Sequence, residues 1–311
     1  MIASREKGAM VWQLRQWMGG DAIAQAEHAL ELGLQNVCIK INDGRQERWE
    51  GNRTDQNADF LPATVNALQA AGIRVTGWGW TYGGSGSIRF RTFRPNADIA
   101  RREGELSGEL CLRYGMKDYF IDAEVQYHRD GMEPSANAFC EGLKGMAPNV
   151  NQLLCSYRFP RTAQPKFPVR TFAPHQNGWA PQVYFLQDNR VDGGAIQLQR
   201  SKENHYDLIR QLPYVGVAPT YLHKYRINLQ ARTWTANKLQ LTNFFQRAAA
   251  IGCEGISVWR LEEANASQLE AIKEFNWPGS VEPPDPPPDE KVNIEVRVPA
   301  GKTDVQVVEV E

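Results

Sequence analysis

Cysteine and histidine are scarce, each occurring five times in 311 residues. The cysteines (Cys38, Cys111, Cys140, Cys155 and Cys253) are odd in number, widely spaced and form no C-x-x-C, so they read as reduced core residues and not as a disulfide framework. No histidines stand as H-x-x-x-H and none adjoins a cysteine cluster, so no metal site is expected. G-x-G-x-x-G and G-x-x-x-x-G-K-[ST] are absent. The one glycine-rich run, Gly83 to Gly86, leads into Arg and Phe residues rather than a helix start, which excludes a nucleotide cradle, and no cofactor is expected. An excess of charge is also missing. The formal net charge is −1 and the basic residues are scattered, so nucleic acid is not an expected partner. No stretch approaches the ~18 consecutive apolar residues of a membrane span. Met1 to Ala9 lacks the apolar core of a signal peptide, so a soluble chain without membrane partner or export signal is expected.

What is present is a large potential core, with 42% hydrophobic and 10% aromatic residues, arranged in a repeating strand–helix rhythm. Strands are expected at Val11 to Trp17, Asn36 to Ile41, Ile73 to Trp80, within Lys117 to Tyr127, and at Gln152 to Tyr157, Ala180 to Phe185, Val215 to Tyr221 and Gly255 to Trp259. Helices are expected at about Asp21 to Leu32, Ala58 to Ala71, Ala97 to Tyr114, Ser135 to Met146, Ala195 to Gln211, Thr235 to Ile251 and Asn265 to Phe275. Several stop at a glycine, as helices do when the next residue must turn left-handed. The proline-rich passage from Phe159 to Pro174 leaves no room for a full helix. Eight strands alternating with about seven helices imply an α/β fold, a closed (β/α)8 TIM barrel over residues 10–278.

The fourth strand carries the chemistry. Successive side chains alternate faces, so Phe120, Asp122 and Glu124 point one way while Tyr119, Ile121 and Ala123 point the other. Active sites of such barrels lie at the carboxyl ends of the strands. Those ends supply Asn42, Trp80, Tyr82, Gln182, Tyr221 and Trp259 as candidate substrate-binding residues, with Lys40 as a lone interior cation expected to be ion-paired. Trp78, one layer deeper, is expected to be core. Acids, amides and flat aromatic faces suit a sugar, whose C–H faces stack on rings and whose hydroxyls need polar partners.

Glycosidic cleavage requires a protonated acid at the leaving oxygen and a group that stabilises the charge developing at the anomeric carbon. Asp122 and Glu124 can meet both needs if mutual repulsion keeps Glu124 protonated and Asp122 ionised. No separate nucleophile is evident, and carboxylates at i and i+2 are roughly 7 Å apart by strand rise. Attack by a 2-acetamido group of the substrate is therefore expected.

Phe-Ile-Asp-Ala-Glu resembles the D-x-E that closes strand four in family 25 lysozymes and family 18 chitinases, and Pro-Gln-Val-Tyr at residues 181–184 resembles the strand-six tyrosine segment of the chitinases. The resemblance spans residues 11–277. It implies that Glu124 is the acid, that Asp122 orients and tunes it, and that Tyr184 contacts the acetamido group. The chain departs from the lysozymes in lacking an Asp-x-Ser opening on strand one. It departs from the chitinases in Lys117 and Asp118 on strand four and in Phe185 after Tyr184. The expected activity is hydrolysis of an N-acetylated polysaccharide, peptidoglycan first and chitin second. The alternative is a non-catalytic glycan-binding or structural module of a phage-like particle or cell-surface assembly.

Beyond Trp277 the composition changes. Residues 279–291 read as a stiff proline-rich linker and 292–311 as a short β-hairpin. A lone hairpin is marginal in water, so the tail is expected to pair with another chain, a further domain or the barrel itself.

Overall fold

The structure, a computed structural model, describes residues 6–47, 57–88, 91–183, 190–205, 207–219, 223–227 and 230–278. The linker and hairpin expected for the tail lie outside them.

Eight parallel strands form one sheet: β1 (Lys7–Val11), β2 (Asn36–Asp43), β3 (Arg74–Thr81), β4 (Asp118–Ala123), β5 (Asn151–Cys155), β6 (Gly178–Trp179), β7 (Val215–Pro219) and β8 (Gly255–Trp259). Their spatial order is β6-β5-β4-β3-β2-β1-β8-β7. Bridges between Trp179 and Tyr214 and between Gln182 and Val217 bring the two ends together. The sheet is thus the (β/α)8 barrel that the rhythm predicts. Its helices are α1 (Ala22–Glu31), α2 (Asn57–Ala70), α3 (Ala97–Arg113), α4 (Glu133–Met146), the short α5 (Pro160–Ala163) and α6 (Val169–Phe172), α7 (Gly193–Glu203), α8 (Asp207–Arg210), α9 (Lys238–Ala250) and α10 (Ala266–Glu274). Asp21, Asn96, Asn237 and Asn265 cap α1, α3, α9 and α10 by accepting from backbone N–H groups of the first turn.

The core has two parts, set by strand alternation. Between sheet and helices lies a large apolar layer that includes Val37, Ile39, Tyr119, Ile121 and Phe139. Inside the barrel a smaller cluster, with Met10, Cys38, Trp78, Phe120, Leu153, Cys155 and Val217, fills the interior below the mouth. All five cysteines are buried and unpaired with one another.

Four local expectations need correction. The first strand is Lys7–Val11, not Val11 to Trp17, which instead runs into 3-10 turns at Leu14–Gln16 and Met18–Gly20. Leu14 and Trp17 recur at i, i+3, a turn spacing, and the buried Gln25 amide donates to both of their carbonyls at 2.9 Å. The sixth strand is Gly178–Trp179, with only a bridge at Gln182 beyond it. Pro181 lacks the N–H that would continue the ladder. The helix expected from Ala195 to Gln211 is two pieces, α7 and α8, separated around the buried His205. An antiparallel pair, His223–Ile227 with Gln230–Trp234, stands between β7 and α9, where no structure is predicted from the sequence.

Candidate active site

Asp122 and Glu124 lie at the carboxyl end of β4, Asp122 inside the strand and Glu124 one residue past it. They are joined through a third side chain. The Gln182 amide nitrogen donates to Asp122 Oδ1 at 2.8 Å and to Glu124 Oε1 at 3.0 Å. Gln182 reaches them because its backbone bridges Tyr157 beyond β5 on one side and Val217 of β7 on the other. Two carboxylates thus converge on one nitrogen. Glu124 is part-exposed, whereas Asp122 is 8% exposed.

Burial is the main force on Asp122 and pushes its carboxyl well above the usual range. The Glu124 charge acts in the same direction, as does Asp43 more weakly, while Lys40 and the Gln182 hydrogen bond oppose them. Burial thus favours the neutral form at Asp122, the carboxyl that the sequence reading expects to be ionised.

Lys40 is almost fully buried and donates to Asp43 Oδ2 at 3.1 Å, so it is ion-paired as expected. Its ammonium also lies 5.2 Å from the centroid of Trp78 and 5.9 Å from that of Trp12. Trp78 belongs to the interior cluster, donates to the Val11 carbonyl and meets Trp259 edge to face at 5.2 Å. Trp80, in register with Asp122, is part-exposed and stacks almost flat on Tyr82, with centroids 5.8 Å apart and planes 7° from parallel. Its indole donates to Gln126, just beyond Glu124. The peptide between Trp259 and Arg260 is cis. Arg260 lies over Trp12 and is paired with Glu262 and Glu263. Glu262 is buried and accepts from the backbone N–H groups of Trp12 and Gln13, tying the end of β8 to that of β1.

Asn42 does not belong to this site. A register shift between Lys40 and Asn42 turns its side chain to the outer layer, where it donates to the Gly44 carbonyl and Ser107 and accepts from the Tyr119 hydroxyl at 2.8 Å. A Cβ at Gly79 would lie 2.3 Å from Asn42 Oδ1 and 2.4 Å from the Tyr119 oxygen, so the glycine makes room for this contact. Tyr184 and Tyr221 lie outside the described residues.

One polar cleft has no counterpart in the sequence expectations. It measures about 680 Å³ and is lined by Asp43, Arg45, Gln46, Tyr82, Gly84 and Glu103. Glu103, on α3, accepts through one oxygen from Thr81 Oγ1 at 2.8 Å and from the Tyr82 and Gly83 N–H groups at 3.0 and 2.9 Å. Burial raises its carboxyl to about 7 despite these donors. Ala100, Glu103, Ser107 and Leu110 share the buried face of α3. An acid at that helical spacing was the available signal.

Among the described residues, no group of three or more His, Cys, Asp or Glu side chains could hold a metal ion. No described helix is long and apolar enough to cross a membrane.

No family model matches the chain, and no curated protein matches it in sequence. Solved structures do match in fold. A chitinase from Bacteroides thetaiotaomicron superimposes with a TM-score of 0.62 at 10% identity, covering 86% of this chain and 95% of the other. A class V chitinase mutant from the plant Cycas revoluta, in complex with (GlcNAc)3, gives 0.57 at 11% identity over 86% and 98%. The spore cortex-lytic enzyme SleL of Bacillus megaterium QM B1551 gives 0.56 at 9% over 86% and 73%. The barrel has the fold of these glycosidases. At such identities the likeness concerns the path of the chain, and the chemistry has to be read from this chain's own residues.

Proposed function

We propose that the barrel is a glycoside hydrolase that cleaves an N-acetylated polysaccharide, peptidoglycan first and chitin second, with Glu124 as general acid. The observation that carries this reading is the pair of carboxyls held on the Gln182 amide at the end of β4, beside the aromatic faces of Trp80 and Tyr82. Acid catalysis needs one proton at the site, and the pair is arranged to keep one. Burial raises Asp122 and so favours a proton within the pair. Glu124, the more exposed partner, is positioned to pass a proton to a leaving oxygen.

In the reaction we infer, the 2-acetamido oxygen of the substrate attacks the anomeric carbon as the glycosidic bond breaks. The departing oxygen takes the proton from Glu124, and the positive charge spreads onto the acetamido group as a cyclic oxazolinium. Water then displaces the acetamido oxygen from the anomeric carbon, reopening the ring and giving a proton to Glu124, so the acid becomes the base of the second half. Asp122 compensates for the charge on the acetamido nitrogen as its own proton is shared with Glu124. Tyr184, by resemblance to the chitinases, would contact the acetamido group.

Release of reducing ends from peptidoglycan and from chitin tests the reading. Glu124→Gln keeps the size and much of the hydrogen bonding of the acid but has no transferable proton. Turnover should fall on the order of 10²–10⁴-fold while glycan binding persists. Equal rates for both proteins would remove Glu124 from the chemistry, and binding without cleavage by either would make the barrel a glycan-binding module.

A further inference from the structure

We propose that the cleft between the ends of β2 and β3 and α3 is a subsite for a carboxylate-bearing substituent of the glycan, with Arg45 as the residue that selects it. The inference rests on the glycan reading of the adjoining site and goes beyond it by naming which glycan is preferred.

Three observations carry the proposal. The first is continuity. Tyr82 lines the cleft and stacks on Trp80, and Trp80 pairs in register with Asp122 and donates to Gln126. An aromatic wall therefore runs from the strand-four carboxyls to the cleft. The two rings are stacked, with centroids 5.8 Å apart, so a chain bound at the open face of Trp80 has a neighbouring substituent within reach of the cleft.

The second observation is charge. Of the six described lining residues, three are ionisable acids or bases other than tyrosine: Asp43, Arg45 and Glu103. Asp43 is already matched by the buried Lys40. Glu103 is raised by burial to about 7, with the Arg45 charge and three hydrogen-bond donors opposing, so it competes for Arg45 only weakly below that pH. Arg45 sits on an exposed turn and is the cation among the lining residues. The cleft is thus more favourable to an anion than its count of acids suggests.

The third is chemistry and size. A guanidinium offers planar paired donors that match a carboxylate. Gln46 adds an amide, and about 680 Å³ exceeds what a lactyl-sized group needs. A neutral amino-sugar polymer has no charge to pair with Arg45, whereas a polymer in which alternate sugars carry a free lactyl carboxylate does.

The test is equilibrium binding of two probes of equal length to the Glu124→Gln protein, in which cleavage is blocked. One is neutral, a tetramer of N-acetylglucosamine. The other is an acidic tetramer alternating N-acetylglucosamine with N-acetylmuramic acid. The acidic probe should bind on the order of tenfold more tightly, the amount that one charge-assisted paired contact supplies. The preference should shrink with added salt. Adding Arg45→Gln should remove it and leave the neutral probe unaffected, which also reports that the protein is folded. Arg45→Lys should keep part of it. Equal affinity for the two probes before Arg45 is changed, or an equal loss of both after it, would overturn the subsite. Failure of both probes to bind the Glu124→Gln protein, and equally the wild type, would instead remove the glycan reading on which the subsite depends.

Discussion

Replacing Glu103 by glutamine should change how the stability of the barrel depends on pH, and the size of the change follows from its surroundings. The carboxyl is 2% exposed. It accepts from Thr81, Tyr82 and Gly83, yet burial outweighs those donors and raises it from 4.5 to about 7. In the unfolded chain the same group titrates near its ordinary value. Between these two values the native state binds a proton that the unfolded state has lost, so stability falls as pH rises through this window. The stabilising effect is fully present below about 4.5 and gone above about 7. At about 1.4 kcal/mol per unit, the loss is about 3 kcal/mol, a large part of the ~5–15 kcal/mol of a typical domain.

Glutamine mimics the protonated acid at every pH. Denaturant unfolding of wild type and Glu103→Gln, measured in parallel from pH 4 to 8, should therefore give curves whose separation changes by about 3 kcal/mol in favour of the variant, with the change confined to pH 4.5–7. Because other carboxyls titrate in both proteins, the difference between the curves is the informative quantity. A separation that stays constant across the range would show that Glu103 is ionised in the native state and that burial does not dominate it. A separation that moves in favour of wild type as pH rises would show that the three donors do.

Three further substitutions test other parts of the structure. Gly104→Ala would place a Cβ 2.1 Å from the Phe139 carbonyl oxygen on α4, forcing α3 and α4 apart, whereas Gly145 on the same α4 has nothing within 4 Å. The first should cost about 1–3 kcal/mol and the second should stabilise by up to about 1 kcal/mol, read as opposite shifts in melting temperature. Lys40→Met removes the cation that favours ionised Asp122, so a ¹³C-carboxyl titration should find Asp122 raised further, and a lowered value would refute the assignment of Lys40 as its counter-charge.

Period-2 and period-3.6 patterns were enough to read the barrel and the shared face of Asp122 and Glu124, because each depends on side chains alternating along a strand, while Gln182 joins them past the end of β6 through bridges to Tyr157 and Val217. The errors fall where that regularity breaks. Pro181 ended β6 early, and the i, i+3 spacing of Leu14 and Trp17 belonged to turns rather than to a strand. Asn42 was misplaced because a one-residue irregularity reverses every later side chain, and nothing in Ile-Lys-Ile-Asn-Asp announces it. Arg45 and Glu103 went unnoticed for another reason. They are far apart in sequence, and their meeting depends on how the turn after β2 lies against α3.

The irregularity in β2 also bears on the charges that act on Asp122. By sending Asn42 outward to Ser107 and Tyr119, it leaves Lys40 and Asp43 as a facing pair at the rim of the barrel interior. Among the described residues, one ammonium, that of Lys40, and two further carboxyls, those of Asp43 and Glu124, act on Asp122. Ionising all three around one cation would bury uncompensated negative charge, which is far more costly than binding a proton. Burial therefore raises Asp122, the more buried of the Gln182-linked pair. In the proposed reaction the preference reverses: positive charge developing at the anomeric carbon favours an ionised Asp122 beneath it, just as the leaving oxygen draws a proton from Glu124. Burial that raises Asp122 is thus offset, in the proposed reaction, by the positive charge of the transition state.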